Sequence, residues 1–99
     1  MKNPCIYILS NKNNTVLYIG VTSNLTKRIY QHKSKKHKGF TTKYNCNKLV
    51  YFEEFQSMNE AIFREKQLKK GNRKRKEELI YKENPEWKDL AEGWLFYFD

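Results

Sequence analysis

Two apolar segments near the N-terminus, CIYIL at 5–9 and TVLYIGV at 15–21, flank the polar stretch Ser10-Asn11-Lys12-Asn13-Asn14. Both are rich in β-branched and aromatic residues, which favour strands, and the stretch between them consists of turn formers. This pattern predicts a β-hairpin. Side chains alternate along a strand, so parity decides which residues share a face. With a loop of two or four residues, Tyr7 and Tyr18 fall on one face, directly opposite or diagonal. Two phenols held together on a rigid sheet make either a core pair or a reaction centre.

Ninety-nine residues, 38% of them hydrophobic and 15% aromatic, support one modest core. A single domain over 1–99 is expected, with a core at about 3–91 and an aromatic tail at 92–99. No apolar run approaches membrane-spanning length and the N-terminus lacks a signal-peptide stretch, so no membrane partner and a cytoplasmic location are expected. Cys5 and Cys46 read as free thiols, with no CxxC spacing to suggest zinc.

The net charge of +9 is unevenly spread. Residues 1–52 carry ten Lys or Arg and no Asp or Glu, and residues 64–76 add eight bases against the single acid Glu65. Residues 77–99 reverse the sign, with seven acids and two bases. Such separation predicts a basic face suited to a polyanion. A lysine-rich solvated surface is the plainer reading, and charge by itself points to nucleic acid without specifying any chemistry.

Along the chain, Thr22-Ser23-Asn24 offers caps for a helix over about 24–34, in which Leu25, Ile29 and His32 recur at helical spacing. The basic stretch 33–47 reads as a long mobile connection. Leu49–Phe55 reads as a third strand, and Ser57 with Glu60 as a capping box opening a helix at 58–69. Gly71 ends that helix, and Asn72 caps another at 73–83. Asn84-Pro85 predicts a further short helical turn over 86–91. The tail Trp94-Leu95-Phe96-Tyr97-Phe98 is too apolar to lie free. It packs back on the domain or forms a partner or dimer contact. The class is therefore α+β, a small three-stranded antiparallel sheet flanked by helices in the order β-β-α-β-α-α.

Arg28 and His32 are one helical turn apart and can reach the tyrosine face if their helix packs beside the hairpin. Taken alone, a solvated Arg28 and a core-edge His32 are the plainer reading of both. Glu65 shares a helix face with Ala61 and Leu68, so it leans inward. It is either an ion-pair acceptor for a neighbouring base or a ligand for a hard divalent cation. No acid precedes Glu53, and Glu53 and Glu54 lie on opposite strand faces, which disfavours a two-metal site and leaves room for one ion.

Cys5-Ile6-Tyr7, Tyr18-Ile19-Gly20, Arg28, His32 and Glu65 resemble, in order and spacing, the GIY-YIG nuclease superfamily. The resemblance covers about 3–91 and is strongest to small stand-alone bacterial members, which carry segments like Arg64-Glu65-Lys66-Gln67-Leu68-Lys69 and Asn84-Pro85-Glu86-Trp87. It implies a metal-dependent endonuclease acting on DNA, structure-selective or weakly specific, in repair or recombination. RNA is not excluded, and a non-catalytic nucleic-acid-binding or adaptor module on the same scaffold is the alternative. By resemblance, Glu65 is the ligand of one Mg²⁺ or Mn²⁺, Arg28 steadies charge on the phosphate, and Tyr7 and Tyr18 order or deprotonate water. His32 stands where relatives place a His or Tyr, and Gly20 allows close backbone packing where the chain turns into the helix. Two departures are Cys5 in place of the leading glycine, and Val21 where some excision-repair relatives carry lysine.

A phenol with a reference pKa near 10 is only about 0.1% ionised at pH 7, so a tyrosine base needs its pKa lowered by ~2–3 units. Arg28, lysines and a cation are the candidates to supply that, with Tyr7 favoured as base. Lys27, Lys35, Lys36, Lys38, Lys43, Lys69, Lys70, Arg73, Lys74 and Arg75 are candidates for backbone phosphate contacts. Phe40 and Tyr44 are suited either to stacking on bases or to packing under the loop.

Overall fold

The computed structural model describes residues 3–35 and 39–96. The hairpin strands are β1 (Cys5–Ser10) and β2 (Leu17–Thr22), followed by α1 (Leu25–Lys33), α2 (Phe40–Lys43), β3 (Lys48–Glu54), α3 (Met58–Lys70) and α4 (Arg73–Glu83). The strands form one antiparallel sheet in the order β2-β1-β3. The expected order β-β-α-β-α-α is present, with α2 as an added single turn inside the connection read as mobile. That turn is anchored: Thr41 and Cys46 are buried, and the Cys46 amide donates to the Thr41 carbonyl at 2.8 Å.

Helix starts follow the side-chain chemistry of their caps. Asn24, Ser57 and Asn72 each accept a backbone N–H three residues on, from Lys27, Glu60 and Arg75, which satisfies a donor the helix itself cannot. The strands are apolar on both faces, so both are covered. Ile6, Ile8, Ile19 and Tyr51 meet Ala61 and Leu68 of α3, Ile80 of α4 and Trp87. On the opposite face Cys5, Tyr7, Leu9 and Leu49 meet Leu25 and Ile29 of α1, Cys46 and Ala91. Each large side chain buried this way contributes about 1.5–3 kcal/mol, so neither layer is dispensable in so small a chain. Trp94 and Phe96 pack on the α1 side, with the Phe96 ring 5.5 Å from Tyr30, as expected for a tail that folds back. Tyr97 and Phe98 lie outside the described residues.

The short helix expected over 86–91 does not form; turns take its place. Its backbone groups are claimed by side chains and by the edge of the sheet, the usual competitors of a helix. Asn84 accepts the Lys88 amide at 3.1 Å and donates to the Lys88 carbonyl at 2.8 Å. Trp87 sits at φ 55, outside the helical region. Asp89 accepts the amides of Leu49 at 3.1 Å and Ala91 at 3.0 Å, and its carboxylate pairs with Lys33 of α1. The Leu90 amide donates to the Leu49 carbonyl at 2.7 Å.

The β1–β3 pairing slips between Ile8 and Leu9, which leaves Val50 as the extra residue of a bulge. Its carbonyl accepts from the buried Asn84 amide at 3.1 Å. Asn84→Ala is expected to cost about 1–3 kcal/mol, because it strands that carbonyl in the interior. The urea midpoint measures it, and a change worth less than about 0.5 kcal/mol would count against the strut.

Candidate active site

The register pairs Tyr7 with Gly20 and Leu9 with Tyr18, so the two tyrosines are diagonal neighbours on one face, with ring centroids 6.3 Å apart. Tyr7 is fully buried and Tyr18 half-buried. Gly20 is what lets the Tyr7 ring lie across β2: a Cβ there would stand 2.4 Å from both Cζ and the hydroxyl oxygen. The packing that needs glycine is thus ring on backbone within the strand, where the sequence reading had placed it at the turn into the helix.

Helix α1 brings Arg28 and His32 to this face. The His32 ring lies 5.8 Å from Tyr7 and 5.9 Å from Tyr18. Its Nε2 is 3.1 Å from the Tyr7 hydroxyl, and its Nδ1 is 2.9 Å from Thr41 Oγ1. His32 is buried, so a core position and a place among the tyrosines turn out to be the same position. Burial pushes the Tyr7 phenol well above its ordinary value, and Tyr18 and the charge of Glu65 push it further. Arg28 opposes this through its charge and a side-chain hydrogen bond, without reversing it. Tyr7 is therefore held neutral, against the lowered phenol pKa that a free tyrosine base requires.

Glu65 is rooted in α3, among residues of the other core, yet its charge is felt at the Tyr7 hydroxyl. Its side chain is only 15% exposed, and the Lys69 ammonium stands 3.4 Å from Oε2, so the carboxylate already serves as a cation acceptor. Glu53 is committed elsewhere. Arg64 donates to both its oxygens at 3.0 Å, and the Tyr51 hydroxyl donates to it as well. Burial alone would raise the Glu53 carboxyl, but these hydrogen bonds outweigh it and hold it below the usual range. Among the described residues no three His, Cys, Asp or Glu side chains gather. A cation at Glu65 would have one protein carboxylate and take its other oxygens from water and phosphate, a set suited to Mg²⁺ or Mn²⁺.

A shallow cavity of about 340 Å³ runs along the free side of β2, lined by Leu17, Tyr18, Ile19 and Phe40 with Lys69 and Lys76. Phe40 is stacked on Tyr18 at 6.0 Å and lies 4.7 Å from Tyr44, and both outer rings are substantially exposed. Of the candidate phosphate contacts, Lys27, Lys35, Lys43, Lys69, Lys70, Lys74 and Arg75 are exposed. Lys36 and Lys38 lie outside the described residues. Arg73 is engaged structurally, donating to Glu77 at 3.0 Å and to the carbonyls of Thr15 and Asn14, which ties α4 to the hairpin loop. Thr41 escaped the sequence reading because nothing in a basic connection marks one threonine among several polar residues.

Comparison with known proteins bears on the family and the fold. The family model described as the GIY-YIG catalytic domain matches residues 3–78. The chain is 39% identical over 87 residues to a UPF0213 protein of Syntrophus aciditrophicus, spanning 87% of this chain and 98% of that one. It is 43% identical over 75 residues to a UPF0213 protein of Clostridium perfringens, spanning 76% of this chain and 80% of that one. The solution NMR structure of a UPF0213 protein from Bacillus halodurans superposes with a TM-score of 0.57 at 28% identity, covering 95% of this chain and 99% of that one. With most of its length matched by the family model and its tyrosines, arginine, histidine and glutamate brought to one place, the chain belongs to the GIY-YIG catalytic domain family.

Proposed function

We propose that this chain is an endonuclease that hydrolyses phosphodiester bonds in DNA, assisted by one divalent cation at Glu65. The observation that carries the reading is the convergence of Tyr7, Tyr18, His32 and Arg28 on one face, with the Glu65 charge reaching the Tyr7 hydroxyl. When bound, the cation supplies Lewis acidity to the scissile phosphate. Arg28 presents a permanently charged, planar donor set to the phosphate oxygens and stabilises the charge that develops there.

Water loses its proton at the tyrosine pair. A phenol held neutral serves best as a relay, taking the proton of water as it passes its own to His32 Nε2, so that no phenolate need accumulate. The water oxygen bonds to phosphorus while the opposite P–O bond breaks, and the departing oxygen takes a proton from solvent. Lys69, Lys76 and the exposed bases of α3 and α4 hold the backbone beside the β2 groove without reading sequence. The exposed Phe40 and Tyr44 favour substrates with disturbed base pairing, such as branched or flapped DNA, as would arise in repair or recombination.

The test is cleavage of branched and linear DNA by purified protein with Mg²⁺, Mn²⁺ or EDTA, beside Glu65→Ala. Wild-type cleavage in metal, lost in EDTA and reduced at least ~100-fold in Glu65→Ala, is the expected result. The variant should bind DNA at least as tightly as wild type, since it removes a negative charge from a basic face. Binding without cleavage under every metal condition would overturn the nuclease reading and assign the chain to nucleic-acid binding alone.

A further inference from the structure

We propose that Thr41 is a positioning residue that fixes His32 in the one tautomer able to accept a proton from Tyr7. Its catalytic consequence rests on the nuclease reading above; the positioning itself does not.

Three hydrogen-bonding inventories lead there. The positive charge of Arg28 acts on the Tyr7 hydroxyl and, as arginine carries donors only, turns the phenol proton away from itself. The phenol proton then needs an acceptor, and His32 Nε2 stands within reach at 3.1 Å. A neutral imidazole has one donor and one acceptor nitrogen, so a lone pair at Nε2 places the ring proton on Nδ1. That N–H meets Thr41 Oγ1 at 2.9 Å. His32 is 3% exposed and Thr41 4%, so water does not compete for either contact. The order of donation is thus Tyr7 to His32 and His32 to Thr41.

The tautomer decides function because the two forms are opposite in use. With the proton on Nδ1, Nε2 can take the Tyr7 proton, and the resulting imidazolium keeps its bond to Thr41. With the proton on Nε2, the ring donates to Tyr7 and blocks the relay. Thr41 belongs to α2, next in sequence to the exposed Phe40, and its carbonyl is pinned by the Cys46 amide. The basic connection therefore supplies a side chain to the centre of the site as well as charge at its rim.

Long-range ¹H–¹⁵N correlation of the His32 ring, recorded above the pH at which imidazoles titrate, reads the tautomer directly. Wild type and Thr41→Ser should both show Nδ1 protonated and Nε2 free, and Thr41→Val should shift toward the Nε2-protonated form. In cleavage assays Thr41→Val should lose about 10- to 100-fold in kcat with KM little changed, and Thr41→Ser should restore most of it. Nε2 protonated in wild type, or a tautomer unchanged in a folded Thr41→Val, overturns the assignment. The wild-type spectrum decides even if the valine variant does not fold. Wild type that fails to cleave while showing the expected tautomer overturns the nuclease reading and leaves the positioning role standing.

Discussion

Gly20→Ala should destabilise the protein by about 1–3 kcal/mol and displace Tyr7, although it adds a single methyl group. The added carbon would lie 2.4 Å from the Tyr7 Cζ and hydroxyl, well inside contact distance. An exposed side chain would swing aside. Tyr7 cannot, because its ring is fully buried and its hydroxyl is held by His32. Accommodation must come from prying the ring from α1 or from bending β2, and either opens the face that carries Leu25 and Ile29. For a chain of this size each kcal/mol lowers the melting temperature by roughly 4–8 °C. Thermal unfolding followed by circular dichroism, with aromatic NMR contacts between Tyr7 and His32, measures both effects. An unchanged melting temperature with that contact intact would show that the ring does not need the glycine.

Tyr7→Phe should reduce DNA cleavage by about 10²–10⁴-fold while leaving the fold intact, and should do more harm than Tyr18→Phe. The hydroxyl of Tyr7 stands 3.1 Å from His32 Nε2, whereas Tyr18 lies half-buried beside the groove. Because burial holds Tyr7 neutral, the rate should not follow the ionisation of a phenol near pH 10. Steady-state rates from pH 5.5 to 9 test this, and equal losses in the two phenylalanine variants would dissolve the distinction. The same burial has a stability consequence of definite sign. The folded-state pKa lies above the unfolded one, so the contribution of Tyr7 is complete below about pH 10 and is lost as the pH climbs through the folded value. Tyr7→Phe should remove that part of the alkaline sensitivity.

Much of the fold was legible because its signals are local. Alternation put both tyrosines on one face whatever the even loop length, and Asn24, Ser57 and Asn72 announced three helix starts through the same cap chemistry. The acid-free N-terminal half already limited the carboxylates that could join Glu65. Illegible features depend on partners far apart in sequence. Glu53 and Arg64 find each other across a strand–helix junction, which removes a carboxylate that composition alone left available. Asn84 looks like a helix cap and Asp89 like part of the helix that follows, but the bulge at Val50 and the outer edge of β3 claim their side chains. Thr41 acquires its place only because a single turn of helix carries it back to His32. The Tyr7 protonation state was also out of reach, since Arg28 was foreseeable but the extent of burial was not.

The segment after α4 carries a lesson about where this protein ends as a folding unit. The match to the family model stops at residue 78, before that segment begins. Yet Asn84, Asp89 and Leu90 act as a selvedge, finishing the raw margin of β3 by occupying the backbone groups of Leu49 and Val50. A fragment cut to the recognised family boundary would keep every residue proposed for chemistry and lose the hem. Its bared strand would be a template for neighbouring chains, so insolubility of such a fragment would report an unfinished sheet and not a defective active site.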